Sequence, residues 1–398
     1  MYVQACVWIV AQVLYLNVIS GFSHGKHSDV KTILVFGGNG MLGASTVERL
    51  IQENHTLVLV NRGNWYWDTG KSVRPHVRHL QCDRMQSLQR CAGLQHFIWS
   101  LDSPPMFDAV IDFSAYHAFE ISEALNMMNG KIKRYIYISS DSVYEVCNKS
   151  HSGFTREDDA VRPEAKVDRE RYSANDDYGN RKLECEEVLR SQADSGGIPY
   201  VALRLPDVVG TRDNTYRWWI YQLWVRLARY LDTPLSVPRR HWNQPMSLVY
   251  AADVAQTIID VISWGEKVDN QVFNLAMDET PTLVNFLHHL MDALDMEKMK
   301  IEEDDREDAF HLYPSVRLGP VDTNKAKKLL NWQPTSWKDV VDLTVKFYED
   351  AIKRPDFERA RNDVVRIVQQ HLTKDPMAVI RGIRTVYNFN IGISHDEL

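Results

Sequence analysis

Positive charge is scarce in this chain. Its 46 Lys and Arg stand against 53 Asp and Glu, a formal net charge of −7 over 398 residues. No basic field is available to track a phosphate backbone, so a nucleic-acid partner is not expected. Cys-x-x-Cys pairs and metal-ligand spacings are absent, and a metal site is not expected either. No segment recurs at a period of about 20 to 50 residues, which sets repeat architectures aside. Beyond the first 23 residues no apolar run is long enough to span a bilayer. Hydrophobic residues at 44% and charged residues at 25% are an ordinary globular balance.

The two ends carry addresses. Ala5 to Ile19 is apolar except for Gln12 and Asn17, the length of a signal-peptide core, and Ser20 and Ser23 offer small cleavage positions. Residues 1–23 therefore read as a signal peptide, although no positive charge precedes the core; the alternatives are an uncleaved anchor or a buried strand. The last four residues, His395-Asp396-Glu397-Leu398, spell HDEL, a receptor-read retrieval signal of the endoplasmic reticulum. Together the ends predict residence in the lumen, with the retrieval receptor as a partner and no membrane span after cleavage.

With Cys6 in the signal, Cys82, Cys91, Cys147 and Cys185 remain. The lumen permits disulfides, but buried free thiols are at least as good a reading as any pairing. Asn54-His55-Thr56 and Asn148-Lys149-Ser150 are glycosylation sequons.

Short β-branched runs at Lys31–Phe36, Thr56–Val60, Val77–Gln81, Asp108–Phe113, Arg134–Ser139 and Tyr200–Leu203 predict six strands. Helical spacing falls between them at Met41–Gln52, Ala118–Met128 and Arg181–Gln192. Strand alternating with helix predicts an α/β fold, a doubly wound parallel Rossmann sheet that binds ligands beyond the carboxyl ends of its strands. The cofactor part spans about 30–205 and a smaller C-terminal substrate-binding lobe about 206–335, with a strand at Val272–Leu275. A helical extension over 336–394 and the HDEL end over 395–398 complete the chain.

Three motifs carry chemistry. Gly37-Gly38-Asn39-Gly40-Met41-Leu42-Gly43 follows the first strand and opens a helix. Glycines at 37, 40 and 43 there leave room for a tight turn, a dinucleotide diphosphate on Gly40, Met41, Leu42 and Gly43, and helix-on-strand packing. The second strand ends in Asn61-Arg62 rather than an acid. An acid would grip the ribose 2′-hydroxyl of NAD, whereas Arg62 matches the 2′-phosphate of NADP. NADP is favoured over NAD; the alternative is that Arg62 stacks on adenine or faces solvent.

Tyr178 alone among the 17 tyrosines has a lysine, Lys182, four residues on. At that spacing both lie on one helix face, where an ammonium draws a phenol toward acid–base range. Ser139-Ser140-Asp141-Ser142-Val143-Tyr144 ends the fifth strand and offers a hydroxyl to a reacting oxygen.

With these elements the chain resembles the extended short-chain dehydrogenase/reductase family, the NAD(P)-dependent sugar epimerase/dehydratase group, with features of its atypical members. The resemblance runs from Lys31 to Pro334 and includes Arg204-Leu205-Pro206, Gly210-Thr211-Arg212-Asp213, Ser247-Leu248-Val249-Tyr250 and Asn331-Trp332-Gln333-Pro334. It implies Ser140, Tyr178 and Lys182 as the catalytic set, Lys182 also holding the cofactor ribose, and Asp83 as an adenine contact. Asp141, Arg212 and Arg217 are candidate substrate contacts, and a homodimer is the family-level expectation.

Ser142 stands where dehydratases carry Glu, which disfavours elimination of water. Glu145 replaces the usual Gly after Val143-Tyr144, and a charged insertion, Cys147 to Asp177, separates Ser140 from Tyr178. The expected activity is hydride transfer at a secondary alcohol or ketone, as oxidoreductase or epimerase on a nucleotide sugar. The alternative is a non-catalytic dinucleotide-binding regulator or scaffold of the lumen.

Overall fold

A computed structural model describes residues 30–101, 106–148 and 153–392, and Lys31–Leu398 forms one compact unit. The expected signal peptide and HDEL end lie outside the described residues.

The strands begin with β1 (Thr32–Phe36), β2 (Thr56–Asn61), β3 (Arg78–Gln81), β4 (Ala109–Asp112), β5 (Tyr135–Ser140) and β6 (Tyr200–Leu205). The central ones, β1, β2, β4, β5 and β6, are short, mainly apolar runs buried on both faces, the pattern of a parallel sheet covered by helices. Asp207–Val209 (β7), Ser236–Pro238 (β8), Leu248–Tyr250 (β9), Gln271–Asn274 (β10) and Glu302–Asp304 (β11) follow. Seven of them make one sheet in the order β10-β6-β5-β4-β1-β2-β3, every pairing parallel. Because β2 and β3 lie on one side of β1 and β4 on the other, the order reverses at β1, and a crevice opens beyond the carboxyl ends of β1 and β4.

The main helices are α1 (Met41–Gln52), α2 (Ala92–Trp99), α3 (Ala118–Met127), α4 (Lys166–Asn175), α5 (Asp177–Asp194), α6 (Arg217–Leu227), α7 (Ala251–Ser263) and α8 (Leu283–Ala293). They continue with α9 (Asn324–Leu330), α10 (Trp337–Ala351), α11 (Glu358–His371) and α12 (Pro376–Tyr387). No helix of the described residues is long and apolar enough to cross a membrane.

The lobe is not a clean sequential second half. The chain leaves the sheet after β6, returns with α7 packing Val254 and Ile258 beside Val47 and Leu50 of α1, and inserts β10 as the seventh strand. Strand adjacency of this kind has no local sequence signal. The helices α10, α11 and α12 share the lobe's core. Trp218, Trp219 and Trp224 of α6 sit in one cluster with Val340 and Tyr348 of α10, Val364 of α11 and Ile383 of α12.

Cys82 and Cys91 form a disulfide, the pairing that the sequence left open. Two single-turn 3-10 segments, Arg84–Gln86 and Leu88–Arg90, fold the intervening chain back until the two Cα atoms are 5.4 Å apart. Cys147 and Cys185 are free and buried.

Candidate active site

The glycine loop is built for close approach. Gly37 and Gly38 take φ values of 95° and 79°, in the left-handed region. A Cβ on Gly43 would stand 2.8 Å from Cα of Gly38, so only glycine lets the first turn of α1 rest on the loop. The N–H groups of Met41, Leu42 and Gly43 precede the first helical hydrogen bond, from Ala44 N to the Gly40 carbonyl at 2.6 Å. Such a turn is suited to an anion.

At the end of β2, Asn61 donates from Nδ2 to the Gly37 carbonyl at 3.2 Å. Its Oδ1 accepts from Gly63 N–H at 2.9 Å and lies 2.9 Å from the His79 ring. The Asn61 amide thus ties two loops together. Arg62 beside it is exposed, and among the described residues it makes no ion pair.

A cleft of about 420 Å³ runs from this loop, with Gly37, Asn61, Arg62, Asp83, Tyr116 and Tyr178 in its wall. Asp83 accepts from Met85 N–H at 3.3 Å and from Gln86 Nε2 at 3.2 Å, which fixes its turn at the cleft edge. Beneath it Arg84 Nη1 reaches both oxygens of Asp112, the last residue of β4, at 2.8 Å.

A second cleft of about 550 Å³ adjoins the first through Tyr116 and Tyr178 and is lined by Ser140, Asp141, Lys182, Asp207 and Arg217. Asp176 starts α5 by accepting from Gly179 N–H on Oδ1 at 2.7 Å, which places Tyr178 in the first turn and Lys182 one turn on. Ser140, the last residue of β5, faces the same cleft as Tyr178, and its side chain favours the ionised form of that tyrosine. The three residues inferred from separate motifs therefore meet where the two clefts join.

Tyr178 is 44% exposed as a residue, yet its hydroxyl end is enclosed. Burial and the neighbouring Tyr116 push its pKa above the ordinary tyrosine value, and Ser140 pulls the other way. Lys182 Nζ donates to the carbonyls of Ala115 and Ile138, each at 2.9 Å, with the Tyr178 ring centre 5.9 Å away. Burial brings this ammonium down to about 8, against the pull of Cys185 and Asp112. Two of the three Lys182 N–H donors are taken by carbonyls and one remains for a ligand, while Ser140 is the neighbour that eases ionisation of Tyr178.

Residues 33–276 match the NAD dependent epimerase/dehydratase family. The chain belongs to this family. The chloroplast stem-loop binding protein of 41 kDa b from Arabidopsis thaliana is 26% identical over 265 residues, 64% of this chain and 61% of that protein. The chain thus spans about three fifths of the length of that curated relative.

Among solved structures, UDP-glucose 4-epimerase of Thermotoga maritima, with UDP-glucose, superposes with a TM-score of 0.61 at 19% identity, covering 81% of this chain and all 100% of that one. The dTDP-glucose 4,6-dehydratase of Bacillus anthracis, in complex with NAD, gives 0.61 at 17% identity over 81% and 97%. UDP-glucuronic acid 4-epimerase of Bacillus cereus, with UDP-glucuronic acid and NAD, gives 0.60 at 17% over 80% and 99%. At such identities the likeness is one of fold.

Within this epimerase/dehydratase member, the predicted cofactor residues Gly37, Asn61, Arg62 and Asp83 gather in the first cleft, and Ser140, Asp141, Tyr178, Lys182 and Arg217 in the second. Arg212 is the exception among the substrate candidates. It lines neither cleft; its guanidinium pairs with Glu48 at 2.8 Å and Asp68 at 2.7 Å, in a left-handed turn with φ of 62°.

Glu145 also finds a structural place. It accepts from the N–H groups of Arg317 and Leu318 at 2.9 and 2.8 Å, pinning a lobe loop to the segment after β5. The insertion is likewise stitched down, Glu157 Oε1 accepting from Asn274 N–H at 2.8 Å.

Two residues escaped the sequence reading. Tyr116, four residues past β4, walls both clefts; its position after a strand at the reversal point was the available signal. Asn214 comes from the lobe to lie over the glycine loop, its Nδ2 3.0 Å from where a Gly40 Cβ would be and its Oδ1 buried without a partner. Nothing local in the sequence marks it.

Proposed function

We propose that this chain is an oxidoreductase or epimerase of the endoplasmic reticulum lumen, acting on a secondary alcohol or ketone of a nucleotide sugar. The observation that carries the reading is the gathering of Ser140, Tyr178 and Lys182 in one cleft, which adjoins the glycine-loop cleft through Tyr178.

The residues fit a nicotinamide dinucleotide. The Gly38–Gly43 approach leaves the first turn of α1 clear for a diphosphate, and Asn214 Nδ2 brings a donor over the loop at Gly40. When bound, the dinucleotide supplies hydride acceptance and donation. Arg62, exposed in the cleft wall with no acid at the end of β2, supports NADP as the preferred form. Tyr178 exchanges the proton of the reacting oxygen, Ser140 hydrogen-bonds that oxygen and Lys182 holds the ribose.

The lumenal assignment is supported by the apolar first segment, the HDEL end and the Cys82–Cys91 disulfide, a bond at home in an oxidising compartment. Removing His395 to Leu398 is expected to send the protein into the medium; continued retention would count against the address.

The main experiment is native mass spectrometry of the purified protein. Co-purifying dinucleotide and sugar nucleotide support the enzyme; dinucleotide alone, with no hydride exchange, supports the lumenal scaffold instead. The name of the Arabidopsis relative raises a stem-loop RNA reading as well. The net charge of −7 opposes it.

A further inference from the structure

The second cleft is acidic and its cations are engaged. Asp141, Asp176 and Asp207 line it, while Lys182 donates to two carbonyls. Arg217 Nη1 pairs with Asp207 Oδ1 at 2.5 Å, and its guanidinium lies 4.9 Å from the centre of the Tyr313 ring. Asp207 Oδ2 accepts from Ser315 N–H at 2.9 Å, so this ion pair is itself anchored.

Asp141 is different. It is 3% exposed, its Oδ1 lies 3.4 Å from Ser140 Oγ, and its Oδ2 is buried without any hydrogen-bond partner. A polar atom left unpaired in a buried wall is costly unless something entering the cleft completes it. Burial, with Asp207 and Glu145 adding like charge, holds this carboxyl well above the usual carboxylate range, Ser140 acting in the opposite direction. A neutral carboxyl offers one O–H donor as well as acceptor capacity.

Building on the nucleotide-sugar reading above, we propose that the sugar taken into this cleft is neutral, that Asp141 hydrogen-bonds one of its oxygens, and that Asp207, by holding Arg217, excludes sugars bearing a carboxylate. A uronate would bring a negative charge beside Asp207, and the guanidinium that would receive it is already bound there. Like charges across a contact discriminate strongly against the wrong ligand.

UDP-glucose and UDP-glucuronic acid differ only in a hydroxymethyl group against a carboxylate, which makes them the probes. Calorimetric titration of the full-length protein is expected to show UDP-glucose binding at least about tenfold more tightly. Asp207→Asn, which frees Arg217, brings the two ligands to within about threefold. Asp141→Asn, still neutral and able to donate, keeps the affinity for UDP-glucose, whereas Asp141→Leu loses about tenfold of it with the fold intact by circular dichroism.

UDP-glucuronic acid binding as tightly as UDP-glucose to the unaltered protein overturns this inference alone. Binding of neither, with dinucleotide still held, overturns the nucleotide-sugar reading and the inference with it.

Discussion

Gly179 lies against Ser142 so closely that a Cβ at 179 would stand 2.2 Å from the Ser142 carbonyl oxygen. The contact seats the first turn of α5 on the chain leaving β5, and the residue on either side of it matters: Tyr178 is held within reach of Ser140. A glycine next to the reactive tyrosine is therefore a positioning device.

Gly179→Ala tests this. Overpacking there is expected to cost about 1 to 3 kcal/mol of stability. Displacing Tyr178 by about 1 Å lowers turnover by about 10²-fold. Thermal unfolding and hydride exchange from labelled NADPH into an accepted ketone measure the two effects separately; unaltered turnover would show that α5 has slack.

Arg62 is the residue on which the proposed NADP preference rests. Exposed in the cleft wall and free of ion pairs among the described residues, it is placed to meet a 2′-phosphate. Arg62→Ala is expected to weaken NADPH by about 1.5 to 3 kcal/mol and to leave NADH nearly unchanged. Equal losses in fluorescence titration would remove the NADP preference.

Lys182 gives cofactor binding a pH dependence. Its ammonium, brought down to about 8 by burial, is present below that pH and lost above it. Affinity of the free protein for NADPH is expected to fall as pH rises through about 8. Lys182→Met binds weakly at every pH, with that step gone. A step that persists in Lys182→Met would assign it to another group.

Much of this arrangement was legible in the sequence because each motif sits at the end of a strand. Gly37–Gly43 follows β1, Asn61-Arg62 closes β2 and Ser140 closes β5, and a parallel sheet gathers such ends on one edge. What stayed hidden depends on contacts distant in sequence. Arg212 looked like a substrate residue until Glu48 and Asp68 were seen to occupy it. The Cys82–Cys91 bond required the two 3-10 turns between them. The return of Gln271–Asn274 into the main sheet is a pairing with Val201–Arg204 that periodicity cannot encode.

Asp112 ties the cofactor cleft to acid stability. It receives Arg84, the Tyr135 hydroxyl at 2.5 Å and the N–H groups of Ser114 and Ala115 at 2.9 Å. Burial alone would raise its pKa, but Arg84 outweighs that and holds the carboxyl below its usual range. A folded-state pKa below the unfolded value of about 3.9 means the contribution is complete above that pH and lost as pH falls through the folded value. Asp112→Asn, leaving Arg84 short of a buried partner, is expected to cost about 3 to 5 kcal/mol near neutrality. In urea unfolding the gap between the two proteins narrows as pH falls below the unfolded value of about 3.9. A gap independent of pH would show that the carboxyl's charge is not what stabilises the fold.

The central claim is that Tyr178 moves the proton of the reacting oxygen, and one substitution addresses it directly. Tyr178→Phe keeps the ring that walls both clefts and removes only the hydroxyl whose ionised form Ser140 favours. Hydride exchange from labelled NADPH is expected to slow by about 10²- to 10⁴-fold, with NADPH affinity nearly unchanged. Undiminished exchange in a folded Tyr178→Phe protein would contradict the account.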